Sequence, residues 1–162
     1  MSPVVSTILE ILIWGVVATL AMNAIMFSSQ NFGWSRLNFP LLLGTFFTEE
    51  RNAANTLGFF LYLIMGWLIA FFYYMVFDLI GSSGWWIGLL VGFVHGVFVL
   101  TALLPMLAYL HPRIASEHDG PGQMKRMEPP GFLALHYGRN TPLVLLMAHL
   151  AYGIVLGAGF ST

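Results

Sequence analysis

Four long apolar stretches follow one another along the chain, separated by more polar connections. They cover about residues 8–27, 57–80, 85–110 and 142–160, and a helix needs roughly 20 residues to cross a bilayer core. In lipid only helices and closed barrels satisfy the backbone, and these stretches lack the strict alternation of barrel strands. The pattern therefore predicts an all-α fold, a four-helix transmembrane bundle that forms one domain over residues 1–162.

The composition strengthens this prediction. Hydrophobic residues make up 58% of the chain and charged residues 8%, whereas about a quarter of the residues in a soluble domain are charged. A soluble fold of 162 residues has too much surface to hide so much apolar area. The net charge of -1 gives no basis for binding nucleic acid. The chain has no Cys, which excludes disulfides, thiolate catalysis and iron–sulfur clusters.

The basic residues predict the orientation of the bundle. All six lie in the two longer connections, 28–56 and 111–141, and none lies near the termini or in the turn at 81–84. These residues are Arg36, Arg51, Arg113, Lys125, Arg126 and Arg139. Because short positively charged loops stay in the cytoplasm, we expect both longer connections to be cytoplasmic and both termini to be periplasmic. The prediction is a multi-pass protein of the bacterial inner membrane.

Each longer connection returns to the bundle through a proline and a short apolar piece. The two pieces are NFPLLLGTFF at 38–47 and PPGFLALHYG at 129–138. Both are too short to cross a bilayer, so we expect them to lie in the interface or to pack under the bundle. The second and fourth apolar stretches also share a spacing, Tyr62-x3-Gly66 and His149-x3-Gly153. These echoes suggest two parallel helical-hairpin repeats.

Small residues and one histidine share a face on the third and the fourth predicted helix. The small residues that form this seam are Gly88, Gly92, Gly96, Gly153 and Gly157. His95 lies on the seam of the third helix and His149 on that of the fourth, by helical spacing. Small residues four apart let membrane helices approach closely. Pairing the two seams predicts that both imidazoles lie inside the protein at comparable depth.

Each predicted helix contributes one polar side chain to a layer that contains Asn23, Tyr62, His95 and His149. One interpretation is a hydrogen-bonded clamp that fixes helix register, with each contact contributing about 0.6 kcal/mol. The other is a site, because intramembrane ionisable groups often mark function. That site would be haem b ligated by His95 and His149, or a proton or quinone site. A close glycine seam argues against a porphyrin between these helices, although nearby glycines can also make room for one.

No motif in the sequence assigns a catalytic residue or a metal site. His111, Glu117, His118 and Asp119 carry possible metal ligands, but their spacing fits no established metal-binding pattern. The chain also lacks a glycine-rich phosphate loop, a G-x-S-x-G string and an H-E-x-x-H string. The sequence therefore favours a protein without enzymatic activity.

Five short strings of the chain are distinctive, namely NFPLLLGT (38–45), VHG (94–96), HPR (111–113), EPPGFLALHYGRNTP (128–142) and AHLAYG (148–153). With these strings the chain resembles a family of uncharacterised small bacterial integral membrane proteins with four predicted helices. The resemblance covers most of the chain and agrees with the helix count. It implies no catalytic residue, because no activity is established for that family. It also implies that 128–142 is a formed element, in which His136, Tyr137 and Arg139 contact lipid headgroups or a partner.

These observations favour an accessory or structural subunit of a membrane complex, or a small oligomer, held together by helix packing. Its partners would be the lipid bilayer and other membrane subunits or further copies of the chain. Aromatic residues make up 15% of the chain and offer a wide apolar contact surface. One alternative is a redox module that binds haem or quinone through His95 and His149. Another is an oligomeric transporter, which needs several subunits because one bundle carries so few polar residues.

Overall fold

The computed structural model describes residues 2–115, 121–122 and 127–160 of the chain. The helices are α1 (Pro3–Asn31), α2 (Phe39–Gly44), α3 (Arg51–Ile80), α4 (Trp85–Phe98), α5 (Leu104–Leu110) and α6 (Thr141–Gly159). A π-helical segment, Val99–Leu103, joins α4 to α5, and a 3-10 turn, Phe132–Tyr137, precedes α6. Glu117, His118, Asp119, Lys125 and Arg126 lie outside the described residues.

The predicted all-helical fold is confirmed for the described part of the chain. Four helical stretches there are long and apolar enough to cross a membrane, namely Val4–Asn31, Arg51–Ile80, Trp85–Leu110 and Thr141–Gly159. The third of these runs from α4 through the π-helical segment into α5. Pro105 follows that segment, and in a regular α-helix its ring would clash with the Thr101 carbonyl. A wider π turn at this point accommodates the proline.

Polar caps set the helix ends, so α1 and α3 begin earlier than the apolar stretches indicate. The Ser2 hydroxyl accepts a hydrogen bond from the Val5 N–H at 3.4 Å, directly before α1. The Glu50 carboxylate accepts from the N–H groups of Asn52 and Ala53, at 2.8 and 2.6 Å. These two bonds lower the pKa of Glu50. Hydropathy detects the lipid-facing part of a helix, whereas the capping residue decides where the helix starts.

The four long helices form an open arc rather than a closed bundle. Helix α6 packs against both α4 and α1, α1 packs in turn against α3, and α3 makes a smaller contact with α6. The four-residue turn at 81–84 joins α3 to α4, yet these two helices are not closely packed against one another. The order across the arc is therefore α3, α1, α6, α4. Its opening lies between α3 and α4–α5.

The glycine seam lies at the contact between α4 and α6. A Cβ atom built on Gly88 would overlap the Gly153 carbonyl oxygen, and one built on Gly153 would overlap the Gly88 carbonyl oxygen. A Cβ on Gly157 would likewise overlap the Gly84 carbonyl oxygen. At Gly92 the added atom would lie 2.5 Å from the His149 carbonyl oxygen. The two helices thus meet backbone to backbone, which only glycine permits at these positions.

The two short apolar pieces have different structures. The first contains α2, which packs against the start of α3, and a Cβ on Gly58 would overlap the Pro40 carbonyl oxygen. The second forms the 3-10 turn, in which Leu133 and Ala134 have left-handed φ angles of 52° and 58°. The second piece therefore does not repeat the structure of the first, whatever echo their sequences carry.

Residues 128–141 form an ordered element at the end of the bundle that carries the two longer connections, which we call the loop end. The Tyr137 carbonyl accepts from the Arg36 N–H at 2.6 Å. The Arg36 guanidinium also donates to the His136 carbonyl and lies 3.2 Å from the Glu128 carboxylate. The Thr141 hydroxyl donates to Ser35 at 2.9 Å. The two longer connections are therefore tied together here.

Candidate functional site

A cavity of about 220 Å³ fills the opening between α3 and α4–α5. Its walls are mostly aliphatic and aromatic, with Leu42 and Phe46 contributed by the piece around α2 and Leu107 by α5. Met65 of α3 and Leu103 of the π-helical segment also line the cavity and are 42% and 36% exposed. The described residues that line it include no carboxylate, ammonium or guanidinium group. The cavity is therefore an uncharged space whose mouth lies between two helices of membrane length.

His95 and His149 both line this cavity and touch each other. Their ring centroids lie 4.7 Å apart and their planes are almost perpendicular, at 88°. His149 is only 2% exposed. A Cβ on Gly96 would come within 3.0 Å of the His149 Cβ, so the glycine leaves the space that the ring occupies. Both imidazoles lie within protein, as the paired seams predict.

Backbone and phenol groups orient the two imidazoles. His149 Nδ1 lies 2.8 Å from the Leu145 carbonyl oxygen. Because a carbonyl only accepts, Nδ1 carries the proton, and in the neutral ring Nε2 is then an acceptor. His95 Nδ1 lies 3.2 Å from the Tyr73 hydroxyl. The site thus contains two rings with distinct hydrogen-bonding roles.

Two tyrosines complete the cluster, and neither is among the residues predicted from the sequence. The Tyr152 hydroxyl donates to the Gly66 carbonyl at 2.6 Å, which joins α6 to α3. The Tyr152 ring also packs edge-on against Tyr73, with centroids 5.4 Å apart. A signal was present in the spacing, because Tyr152 follows His149 by three residues and Tyr73 follows Tyr62 by eleven, about three helical turns. Each tyrosine therefore lies on the face of a residue that the polar layer already contained.

The other two members of the predicted polar layer have different positions. Tyr62 lines the cavity, is 8% exposed and stacks on Phe39 with ring centroids 6.1 Å apart. Within the described part of the chain its buried hydroxyl has no hydrogen-bond partner. Asn23 is half-buried on α1 and is not among the residues that line the cavity. The cavity therefore brings together three of the four layer residues, Tyr62, His95 and His149.

The arrangement does not fit a bis-histidine haem. That ligation places the iron and the porphyrin plane between the two imidazoles. Here the rings of His95 and His149 touch, and the glycine seam holds the backbones of α4 and α6 in contact. Among residues 2–115, 121–122 and 127–160, no group of three or more His, Asp or Glu side chains is placed to hold a metal ion. This geometry leaves no room for a haem between His95 and His149.

The HPR string at 111–113 lies behind two residues that line the loop end of the cavity, Leu42 and Phe46. His111 is buried and donates from Nε2 to the Leu42 carbonyl at 3.1 Å, while Phe46 packs edge-on against its ring. Burial lowers the pKa of His111. The Arg113 guanidinium donates to the Thr45 carbonyl and lies 3.6 Å from the Glu49 carboxylate. These side chains hold α2, and with it the cavity floor, in place.

His136, Tyr137 and Arg139, the three residues expected at an interface, differ in whether their side chains are already hydrogen-bonded within the protein. His136 donates from Nδ1 to the Pro129 carbonyl at 3.0 Å, and the Tyr137 hydroxyl donates to the Glu128 carbonyl at 2.8 Å. Burial raises the pKa of Tyr137 to about 12. The Arg139 side chain is exposed. His136 and Tyr137 therefore stabilise their own element, and Arg139 projects from it.

Known protein families, curated proteins and solved structures contain no significant match to this chain. What the site can bind follows from its chemistry. An apolar volume with a few converging polar groups is typical of a small-molecule site. Because this volume carries no charged group, the molecule that fits it is neutral, with an apolar body and a polar end.

Proposed function

We propose that this chain is a non-enzymatic, multi-pass protein of the bacterial inner membrane that holds a neutral lipid-soluble molecule in the cavity between α3 and α4–α5. The observation that carries the proposal is the position of the cavity mouth. Met65 and Leu103 line the cavity and remain partly exposed on helices of membrane length. A molecule dissolved in the bilayer would enter sideways, between these helices, without crossing water.

The basic residues support the orientation that we propose. Arg36, Arg113 and Arg139 all lie at the loop end among the described residues, and the positive-inside rule assigns this end to the cytoplasm. The polar cluster around His95 and His149 then faces the molecule from the middle of the membrane. Quinone binding, one of the sequence-based alternatives, is a special case of this proposal, because a quinone is neutral and lipid-soluble.

We further propose that the protein is an accessory subunit or a small oligomer rather than an independent enzyme. A site that only holds a molecule acts by presenting it to, or retaining it for, another membrane protein. The outer surface supports such contacts, since Phe60, Phe72 and Trp85 are among its widely exposed aromatic residues. The transporter alternative stays a prediction, and no contact in the described residues favours it.

The test is to block the cavity mouth and follow the bound molecule. The protein is purified in mild detergent and the co-purifying lipids are identified by mass spectrometry. Met65→Trp fills the mouth and should reduce the bound molecule about tenfold or more. Leu68→Trp is the matched control, because Leu68 lies on the same helix, is exposed and does not line the cavity. Equal amounts in both variants and wild type, or none in wild type, would contradict the proposal.

A further inference from the structure

The polar end of the bound molecule has to match the hydrogen-bonding groups of the cavity that have no partner within the protein. The Tyr62 hydroxyl is buried and has no partner within the described residues. A buried hydroxyl left unsatisfied is costly, and a hydroxyl both donates and accepts. Tyr62 therefore calls for a partner that accepts a hydrogen bond.

His149 calls for the opposite partner. Its Nδ1 proton is committed to the Leu145 carbonyl at 2.8 Å, so Nε2 carries the lone pair of the neutral ring. The ring is 2% exposed and lines the cavity. A molecule in the cavity would satisfy this nitrogen only if it donates a hydrogen bond.

The other hydroxyl groups that line the cavity already donate their protons in hydrogen bonds within the protein. Thr19 donates to the Gly15 carbonyl at 2.6 Å, and Tyr152 donates to the Gly66 carbonyl at 2.6 Å. Both residues line the cavity and keep only lone pairs for an occupant. The free groups thus comprise a donor on Tyr62 and acceptors on His149, Thr19 and Tyr152. His95 Nε2 also lines the cavity, and it is a donor when the Tyr73 hydroxyl donates to Nδ1 of the same ring.

We infer that the occupant is a neutral lipid whose polar end is a hydroxyl group, accepting a hydrogen bond from Tyr62 and donating one to His149. This inference rests on the proposed function, because it names the ligand class of the same cavity. A hydroxyl serves both residues, whereas an ether or a ketone only accepts and would leave Nε2 unsatisfied. A carboxylate or phosphate is excluded because the cavity lining offers no cation to pair with it.

The size of the cavity agrees with this class. About 220 Å³ accommodates a hydroxyl-bearing head and the first part of a tail, and the rest of the tail extends past Met65 and Leu103 into the bilayer. A hydroquinone with an alkyl or prenyl tail and a simple long-chain or prenyl alcohol share this chemistry. The experiment therefore tests both a hydroquinone and a prenyl alcohol.

The test compares each hydroxyl compound with its methyl ether, which keeps the oxygen acceptor and removes the proton. The probes are decylhydroquinone and its dimethyl ether, and farnesol and farnesyl methyl ether. Their affinities are measured by calorimetry on the detergent-solubilised full chain. We expect wild type to bind each hydroxyl probe about tenfold more tightly than its ether, which corresponds to about 1.4 kcal/mol. The hydroxyl probe with the higher affinity identifies the source, and equal affinities mean that the hydroxyl alone is recognised.

Two variants assign the two hydrogen bonds. Tyr62→Phe should weaken a hydroxyl probe and its ether by the same factor, because both accept from Tyr62. His149→Phe should abolish the preference for the hydroxyl probe, because the acceptor nitrogen is gone. The wild-type comparison decides the question even where His149→Phe does not fold.

Two failures are distinguishable. If ethers bind as tightly as hydroxyl probes and Met65→Trp blocks both, the cavity binds lipids but the hydroxyl inference is overturned, with water satisfying His149 instead. If none of the four probes binds, or if Met65→Trp does not weaken them, the proposed function itself fails.

Discussion

Helix α4 has two neighbours along its length, and it meets them in opposite ways. Toward α6 it presents glycines, and the two backbones touch at Gly88 and Gly153. Toward α3 its continuation through the π-helical segment into α5 presents large side chains, and the helices stay apart around a cavity that Val99, Leu103 and Leu107 help to line. The shortest connection in the chain joins α3 to α4, yet the close packing is between α4 and α6. Side-chain size, rather than connectivity, therefore decides which membrane helices pack.

The difference has a physical basis in lipid. Apolar side chains gain little by leaving lipid for protein, so close association depends on van der Waals contact between backbones and on hydrogen bonds. The seam has the backbone contact, with Gly157 and Gly92 extending it along α6 and α4. The α3 side relies on fewer contacts, such as the bond from Tyr152 to Gly66 and the pair formed by Tyr73 and His95. Such a gap remains open to a molecule from the bilayer.

A large side chain placed in the glycine seam should cause the largest loss of stability. In Gly153→Leu the new side chain would overlap the Gly88 carbonyl oxygen, so α4 and α6 must separate. We expect a loss of about 3 kcal/mol in the free energy of unfolding, at the upper end for overpacking. The measurement is unfolding in a denaturing detergent titration. Val94→Leu on the exposed face of α4 is the control and should change stability by less than about 0.5 kcal/mol.

A result in which Gly153→Leu is as stable as Val94→Leu would mean that α4 and α6 do not meet at this seam. The cavity would then lack its fixed wall, because His149 is held beside His95 by the same contact.

The floor of the cavity can be loosened by acid through His111. Burial lowers the pKa of this ring in the folded state, while the unfolded chain takes up the proton at an ordinary pKa of about 6.5. Stability is therefore constant above that pH and falls as the pH drops below it, until the folded ring is protonated as well. His111→Gln keeps a donor for the Leu42 carbonyl and does not titrate. Unfolding measured between pH 7 and pH 5 should show a shallower fall for this variant than for wild type.

If wild type and His111→Gln lose stability in parallel over this pH range, the His111 ring is not buried against α2. The smaller effect expected here, compared with the seam variant, reflects the peripheral position of α2 at the loop end.

The smallest effect concerns the link across the gap. Tyr152→Phe removes the hydroxyl that donates to the Gly66 carbonyl and leaves the ring in place. We expect a loss of about 0.6 kcal/mol, the average for a hydrogen bond between membrane helices. Tyr74→Phe is the matched control, since Tyr74 packs edge-on against Phe160 and no hydrogen bond of its hydroxyl is seen among the described residues. A loss as large as that of Gly153→Leu would show that α3 and α6 depend on this bond, and would end the contrast between the two sides.

The features of the fold that can be predicted from the sequence come from hydropathy and from the spacing of the glycines. Membrane-length helices follow from apolar content, and the facing positions of Gly88, Gly92 and Gly153 follow from the helical repeat. The neighbours of each helix do not follow, because any two apolar helices are compatible until their side chains are placed. Three residues of the predicted polar layer, Tyr62, His95 and His149, therefore line one cavity, whereas Asn23 at a similar predicted depth does not.

The backbone structure at the loop end is even harder to predict from the sequence. Leu133 and Ala134 adopt left-handed angles that non-glycine residues disfavour, so their own preferences point elsewhere. Contacts from outside the turn hold them, since Ala134 is fully buried and the Arg36 guanidinium binds the His136 carbonyl. The role of the HPR string likewise depends on α2, which lies far from it in sequence.

Photolabelling shows whether a neutral lipid occupies the gap between α3 and α4–α5. A long-chain alcohol with a diazirine beside its hydroxyl is bound to the purified protein, irradiated and mapped by peptide mass spectrometry. A lipid in this gap should label α3 around Tyr62 and Met65 and the segment from Leu103 to Leu107, and Met65→Trp should abolish all of these labels. Labels spread over lipid-facing residues such as Leu68, and unchanged in that variant, would contradict occupation of the gap.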